Sequence, residues 1–187
     1  MGGCLMDNDG YTGVRIPENS GIPYSPDVRE YVLTASIDGQ YLAFLYSSMP
    51  AGEKADGKAP LLMRVPTDCT IKLTLDNSLR WRFPPDGVAI RLGPATSSDP
   101  RVTPPDQRYA NLKPVQIGID CKSVTFSAVY LPLKDPQDPT RNVENFDLFN
   151  IFVVVDQPAA NGNGVIPDPL LLMIDPGIKN PGDDTAS

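Results

Sequence analysis

Two arginines that flank the only tryptophan of the chain are the residues best placed to do chemistry. Arg80 and Arg82 are two positions apart, so an extended strand places both on one face and Trp81 on the other. Two neighbouring guanidinium groups bind a carboxylate or a phosphate through paired hydrogen bonds. A tryptophan in the core, with both arginines extending into water, explains the same pattern. We favour this structural interpretation and keep Arg80 and Arg82 as the candidate ligand-binding residues.

Acidic residues near the amino terminus have part of the spacing of a calcium-binding loop. Asp7, Asp9 and Glu18 occupy its first, third and twelfth positions. Thr12 stands at the sixth position, where that loop requires glycine. A turn in which an aspartate side chain accepts backbone hydrogen bonds explains the same residues. We therefore predict no metal site.

Catalytic groups are scarce in this sequence. The chain contains no histidine, the side chain that most often moves protons near neutral pH. No serine lies in the sequence pattern of a hydrolase nucleophile. Glu144 and Asp147 are an odd number of positions apart, which directs them to opposite faces of a strand. These observations predict no catalytic residue, no cofactor and a protein that is not an enzyme.

The cysteines argue against two kinds of site, and the net charge argues against one class of partner. Cys4, Cys69 and Cys121 form no Cys-x-x-Cys pair, which argues against zinc-ribbon and thioredoxin-like sites. Without a visible export signal we expect reduced thiols, although Cys69 and Cys121 each precede a strand and a disulfide between them stays open. The net charge of −7 repels a phosphate backbone, so we expect no nucleic-acid partner.

Short strands must position all of these residues. The chain contains 21 prolines, which are excluded from helix interiors and from central strand positions. Apolar runs on either side of Asp38-Gly39 predict a hairpin, because a tight turn there needs residues that tolerate positive φ. Alternating residues predict a second hairpin from 70–75 and 79–83. The apolar run 146–155 predicts one central strand that is covered on both faces.

The predicted fold is all-β. Short strands and turn-rich connections are typical of an antiparallel β-sandwich, which we expect to be Greek-key-like with long proline-rich loops. Residues 1–28 form an irregular amino-terminal arm in this scheme, residues 29–175 form the sandwich, and residues 176–187 form a polar carboxyl-terminal tail.

The carboxyl-terminal run Ile174-Asp175-Pro176-Gly177-Ile178-Lys179-Asn180-Pro181-Gly182 resembles the ending of small bacterial proteins of the DP-EP family. The segment Phe146-Asp147-Leu148-Phe149 fits the same comparison. The resemblance covers about a quarter of the chain and implies a cytoplasmic bacterial β-protein. The function of that family is undefined, so the resemblance transfers no active residue.

The expected function is therefore that of a non-catalytic interaction or assembly protein, which binds protein partners or itself through its arms and sheet edges. A small-ligand or glycan-binding module is the alternative, because long loops often carry binding sites. Its aromatic contacts would be Tyr41, Tyr46, Tyr109 and Tyr130. No window is long and apolar enough to span a membrane, and we expect a cytoplasmic protein.

Overall fold

Strands make up almost all of the regular structure. The computed structural model describes residues 14–15, 26–38, 41–55, 61–77, 80–84, 90–92, 113–148, 150–155, 169–174 and 176–183. No α-helix occurs within these residues, so the all-β prediction is confirmed. The strands are β1 (Val14–Arg15), β2 (Val28–Asp38), β3 (Tyr41–Ser48), β4 (Leu62–Arg64), β5 (Cys69–Leu75), β6 (Trp81–Arg82), β7 (Ile90–Leu92), β8 (Lys113–Ile117), β9 (Ser123–Ala128), β10 (Leu133–Lys134), β11 (Asn142–Val143), β12 (Asn145–Leu148), β13 (Asn150–Val155), β14 (Leu170–Ile174) and β15 (Gly177–Asn180).

These strands form three main sheets. The first sheet has the order β3-β2-β5-β9-β8. The second has the order β1-β7-β13-β14, and β6 also pairs with β13. The third has the order β12-β15-β4, and a small ribbon joins β10 to β11.

The core lies between the first sheet and the other two. Alternate residues of β2, β5 and β9 point inward because successive side chains of a strand point to opposite faces. They pack in one buried cluster with residues of β13, β14 and β15, as expected for a sandwich. Members of this cluster from the three sheets are Tyr31, Leu33, Ile71, Leu73, Phe126, Ile151, Val153, Ile174 and Ile178.

Two strand pairs depart from the purely antiparallel arrangement that the sequence predicts. β2 runs parallel to β5, and β4 runs parallel to β15. The chain leaves the first sheet after β3, contributes β4 to the third sheet and returns as β5 beside β2. Parallel strands cannot be joined by a tight turn and need a long connection, which β3 and β4 supply between β2 and β5.

The first predicted hairpin is confirmed and the second is wrong. β2 and β3 pair antiparallel as far as Asp38 opposite Tyr41, with residues 39 and 40 between them. β5 instead pairs with β2 and β9, whereas β6 pairs with β13 of the second sheet. The segment between β5 and β6 therefore crosses the sandwich. It does so because Trp81 and the inward residues of β5 enter the core from opposite layers.

The apolar run 146–155 divides between two sheets. β12 pairs with β15 in the third sheet, and β13 pairs with β14, β6 and β7 in the second. Residue 149, between them, lies outside the described residues. Continuous apolar character indicates burial on both faces, as in β13, but it does not reveal that the strand changes partners.

The two predicted terminal segments contain paired strands. The sequence predicts a polar tail from residue 176, whereas β15 is the central strand of the third sheet. Ile178 and Asn180 are buried there, and Ile178 belongs to the core cluster. In the amino-terminal arm, β1 pairs with β7 of the same chain, and β2 begins at Val28.

Cys69 and Cys121 are both buried and are not joined in a disulfide, which settles the open pairing. Cys69 begins β5, whereas Cys121 stands two residues before Ser123, which pairs with Thr74 near the other end of β5. Five residues of strand separate these two ends by about 17 Å. A disulfide bridges Cα atoms up to about 7 Å apart, so the strand register keeps the thiols separate.

Candidate functional site

Trp81 is a core residue, as the structural interpretation of its motif predicts. Its side chain is 7% exposed, and its ring centroid lies 5.5 Å from that of Phe44 in the first sheet. Lys122 donates a hydrogen bond from Nζ to the Trp81 carbonyl oxygen. Arg80 is exposed and precedes β6, whereas Arg82 is half-buried in β6 opposite Val154. The described strand thus includes Arg82 but not Arg80.

The tyrosines expected to contact a ligand are engaged elsewhere where the structure describes them. Tyr46 is buried and donates its hydroxyl hydrogen to the Leu61 carbonyl at 3.2 Å. Tyr130 donates its hydroxyl hydrogen to the Pro181 carbonyl at 2.7 Å. The side chain of Tyr41 and all of Tyr109 lie outside the described residues, as do Asp7, Asp9, Glu18 and Cys4.

A buried polar cluster at one end of the sandwich was not predicted from the sequence. Arg29 and Glu53 form an ion pair, with side chains 16% and 8% exposed. Tyr31 donates its hydroxyl hydrogen to Glu53 Oε2 at 2.8 Å, and its ring centroid lies 5.0 Å from that of Tyr46. Arg29 shares the inward face of β2 with Tyr31 because the two are two positions apart. Glu53 follows β3, so the cluster fastens that loop to the first sheet.

The groups around this cluster are held in their protonated forms. Burial raises the pKa of the Tyr31 hydroxyl, against the opposing effect of Arg29. Burial also raises the pKa of Tyr46 and brings that of the Cys69 thiol to about 12. A thiol acts as a nucleophile only as the thiolate, so Cys69 is inert near neutral pH. Within the described residues, no group of three side chains has the composition to hold a metal ion.

The segment that resembles the DP-EP ending has a structural role in this chain. The Asn180 side-chain oxygen accepts a hydrogen bond from the Leu131 amide at 3.1 Å. The carbonyl of the next residue, Pro181, accepts the Tyr130 hydroxyl hydrogen. A Cβ atom on Gly182 would lie 2.7 Å from the Glu144 amide nitrogen. These contacts explain why asparagine and glycine occur here, without any reacting group.

The most distinctive surface feature is strand β14, at the edge of the second sheet. Among the described strands it pairs with β13 alone. Leu170 is 49% exposed, Leu171 is 39% exposed and Met173 is 50% exposed. A protected edge strand normally carries a charged residue, a proline or a bulge, and β14 carries none of these between Leu170 and Ile174.

The register of β14 explains how it exposes apolar side chains. Leu172 packs against the core and Ile174 is buried in it, so Leu171 and Met173 point to the outer face. Met173 lies opposite Phe152 and Leu171 opposite Val154, and both residues of β13 are buried. The outer face of the sheet is therefore covered over β13, and the exposed apolar side chains there belong to β14. The five apolar residues of β14 predict a strand inside the core, so its exposure was missed from the sequence.

No protein-family model matches the chain, and no curated protein is significantly similar to it. The resemblance to the DP-EP family therefore stays a prediction. The described residues also contain no helix that is long and apolar enough to cross a membrane.

Proposed function

We propose that this protein is a non-catalytic interaction protein that binds an extended segment along the edge of β14. One observation carries the proposal: an uncharged edge strand exposes Leu170, Leu171 and Met173. Unpaired strand edges accept an additional strand through backbone hydrogen bonds, and exposed apolar side chains add affinity. An exposed apolar strand edge without protective features promotes aggregation unless it is covered. A partner strand bound there would cover it.

The chemistry of the described residues supports a role without catalysis. Cys69, Tyr31 and Tyr46 are the buried groups with raised pKa values, and each is neutral near pH 7. General acid–base catalysis needs a group whose pKa lies near the working pH. The Arg29–Glu53 ion pair joins a loop to a sheet, and both of its side chains are largely buried.

We also propose a cytoplasmic location and a protein partner rather than nucleic acid. The fold has no disulfide between Cys69 and Cys121, so it does not depend on an oxidising compartment. The net charge of −7 disfavours contact with a phosphate backbone. The partner is either another protein or a second copy of this chain, bound through the terminal arms or the sheet edges.

Hydrogen–deuterium exchange across Leu170–Ile174 tests the binding strand. A peptide of five alternating valines and threonines between neutral glycine-serine ends serves as the probe. We expect it to slow amide exchange in this segment by about tenfold, because added backbone hydrogen bonds protect amides. The double variant Leu171→Lys/Met173→Lys should lose this protection. Ser47→Lys, on the exposed face of edge strand β3, should retain it.

The proposal would be overturned by one combined result. That result is unchanged exchange in β14 with the valine-threonine peptide, together with a monomer at every concentration in sedimentation velocity. Far-ultraviolet circular dichroism and urea unfolding of each variant separate lost binding from lost folding.

A further inference from the structure

We propose that Arg29 and Tyr31 form a carboxylate-binding site, and that Glu53 is its built-in, displaceable occupant. The site goes beyond the proposed function and does not depend on strand β14. Its ligand class follows from its donors, because a guanidinium group and a hydroxyl group converge on the two oxygens of one carboxylate. A carboxylate from outside the chain would meet the same donors once Glu53 has left.

The first sheet holds both donors in place. Arg29 and Tyr31 lie in β2, where they stand opposite Ile71 and Leu73 of β5. The Tyr31 side chain is fully buried. Its hydroxyl oxygen accepts a hydrogen bond from the Arg64 backbone in β4, which leaves the hydroxyl hydrogen for a carboxylate. Donors fixed in this way bind an anion with little further loss of side-chain freedom.

The occupant belongs to an exposed turn. A hydrogen bond of 3.1 Å from the Glu53 amide to the Pro50 carbonyl closes this turn, and Gly52 within it has a φ of +85°. Ala51, Gly52 and Lys54 are exposed, whereas the Glu53 side chain is only 8% exposed. The carboxylate is thus the buried part of an exposed segment. Its release therefore moves the turn and leaves the strands of the sheet in place.

Glu53 does not use the full binding capacity of Arg29. Arg29 Nη2 donates to Glu53 Oε1, and the Tyr31 hydroxyl donates to Oε2. Arg29 Nε is buried and has no hydrogen-bond partner among the described residues. A guanidinium group binds a carboxylate most strongly through two parallel hydrogen bonds, and a buried donor without a partner is costly. A carboxylate that is not tied to the turn can reach Nε and Nη2 together, which favours it over the internal one.

Removal of Glu53 converts the proposal into a binding measurement on the full chain. Glu53→Ala empties the site and leaves the Arg29 guanidinium without its counter-charge. A ligand that binds only the folded protein stabilises it. We therefore expect about 0.1 M sodium acetate to raise the thermal midpoint of this variant by about 4 °C over sodium chloride at the same concentration. The wild type should gain less than about 1 °C, because Glu53 occupies its site.

Matched variants assign the response to the site. Glu30→Ala removes an exposed glutamate of the same strand, which pairs with Lys72, and it should respond to acetate no more than the wild type does. Arg29→Met/Glu53→Ala lacks the guanidinium and should respond no more either. A capped peptide with one glutamate, compared with acetate on Glu53→Ala, distinguishes the two sources of a carboxylate. Tighter binding of the peptide would indicate an acidic segment as the ligand, and tighter binding of acetate a small free acid.

A second variant opens the site without removing any part of it. A Cβ atom on Gly52 would meet no atom of the described residues within 4 Å, but a β-branched residue is strained at a positive φ. Gly52→Val therefore weakens the turn through its backbone alone. We expect faster amide exchange across residues 50–55, and an acetate response between those of the wild type and Glu53→Ala.

Each outcome supports or overturns the proposal. An acetate response of Glu53→Ala that the added Arg29→Met abolishes would support it. Recovery of a folded circular dichroism spectrum in acetate would also support it, if Glu53→Ala is unfolded in chloride. Equal responses of Glu53→Ala and Glu30→Ala would overturn it, as would no response from both Glu53→Ala and Gly52→Val. None of these results bears on strand binding by β14, which a different probe measures.

Discussion

At the scale of single residues, the Arg29–Glu53 pair shows what a sequence pattern reveals and what it omits. Arg29, Tyr31 and Leu33 alternate along β2, so the pattern alone places a charged residue on the inward face. A buried charge requires a partner. That partner, Glu53, lies in an irregular segment without periodicity. The sequence therefore allows Arg29 to be placed on the inward face, but only the fold identifies Glu53 as its partner.

Removal of Glu53 should destabilise the protein strongly. Glu53→Ala leaves the Arg29 guanidinium largely buried without its counter-charge, and loss of one partner of a buried pair costs about 3–5 kcal/mol. The double variant Arg29→Met/Glu53→Leu should recover most of that loss, because an apolar pair needs no counter-charge. Urea unfolding measures both. A loss below about 0.5 kcal/mol for Glu53→Ala would show that the pair is solvated.

For Arg80 and Arg82, alternation predicts more than the structure shows. Alternation correctly indicates that Trp81 points into the core, because burial of a large aromatic side chain is a strong preference. The same alternation treats the neighbours as equivalent. In the structure Arg80 is exposed before β6, and Arg82 lies opposite Val154 within the sheet. A two-residue strand is too short for periodicity to define both of its sides.

At the scale of elements, the sequence predicted a local hairpin but not the pairing of strands that are distant in the chain. The β2–β3 hairpin follows from a short turn between two apolar runs, so residues close in sequence determine it. The strand change within 146–155 and the exposure of β14 depend on which strands lie alongside. An apolar run shows that a strand can be buried, but it does not show how many partners are available to bury it.

Truncation at the carboxyl terminus distinguishes a tail from a strand. A chain that ends at Asp175 lacks β15 and leaves β4 and β12 without their shared neighbour. We expect it to lose cooperative unfolding by circular dichroism. A chain that ends at Asp183 keeps β15 and the hydrogen bond of 2.9 Å between Asp183 and the Asn142 amide. It should unfold like the full chain. Equal behaviour of the two chains would contradict the central position of β15.

At the scale of the whole molecule, the sandwich follows from composition and alternation, whereas its connections do not. Inward-facing apolar residues need an opposing layer, and this requirement predicts two layers of strands. The parallel pairs β2–β5 and β4–β15 join strands that are far apart in the chain, because parallel neighbours need a long connection between them. Such pairings depend on the arrangement of all strands at once, so no local pattern records them.

Stability of the whole fold should decrease in alkaline solution. The Cys69 thiol has a pKa of about 12 in the folded protein against an ordinary value of 9.0. A raised pKa stabilises the fold below the unfolded value, and that contribution is lost as pH rises through the folded value. We therefore expect the free energy of unfolding to fall between pH 9 and 12, by up to about 1.4 kcal/mol per pH unit for this thiol.

The variant Cys69→Ala isolates this thiol. Urea unfolding as a function of pH should show a shallower decline in the variant, while the buried hydroxyls of Tyr31 and Tyr46 still contribute to both proteins. An identical decline in the two proteins would show that Cys69 ionises equally in the folded and unfolded states.

The run from Asn145 to Val155 gives the molecule a mechanical property. Because β12 and β13 follow one another with a single residue between them, one covalent backbone carries load in both the second and third sheets. A force that pulls on the strands of one sheet is therefore transmitted through this backbone to the other sheet. We therefore expect the second and third sheets to separate together rather than one at a time under load.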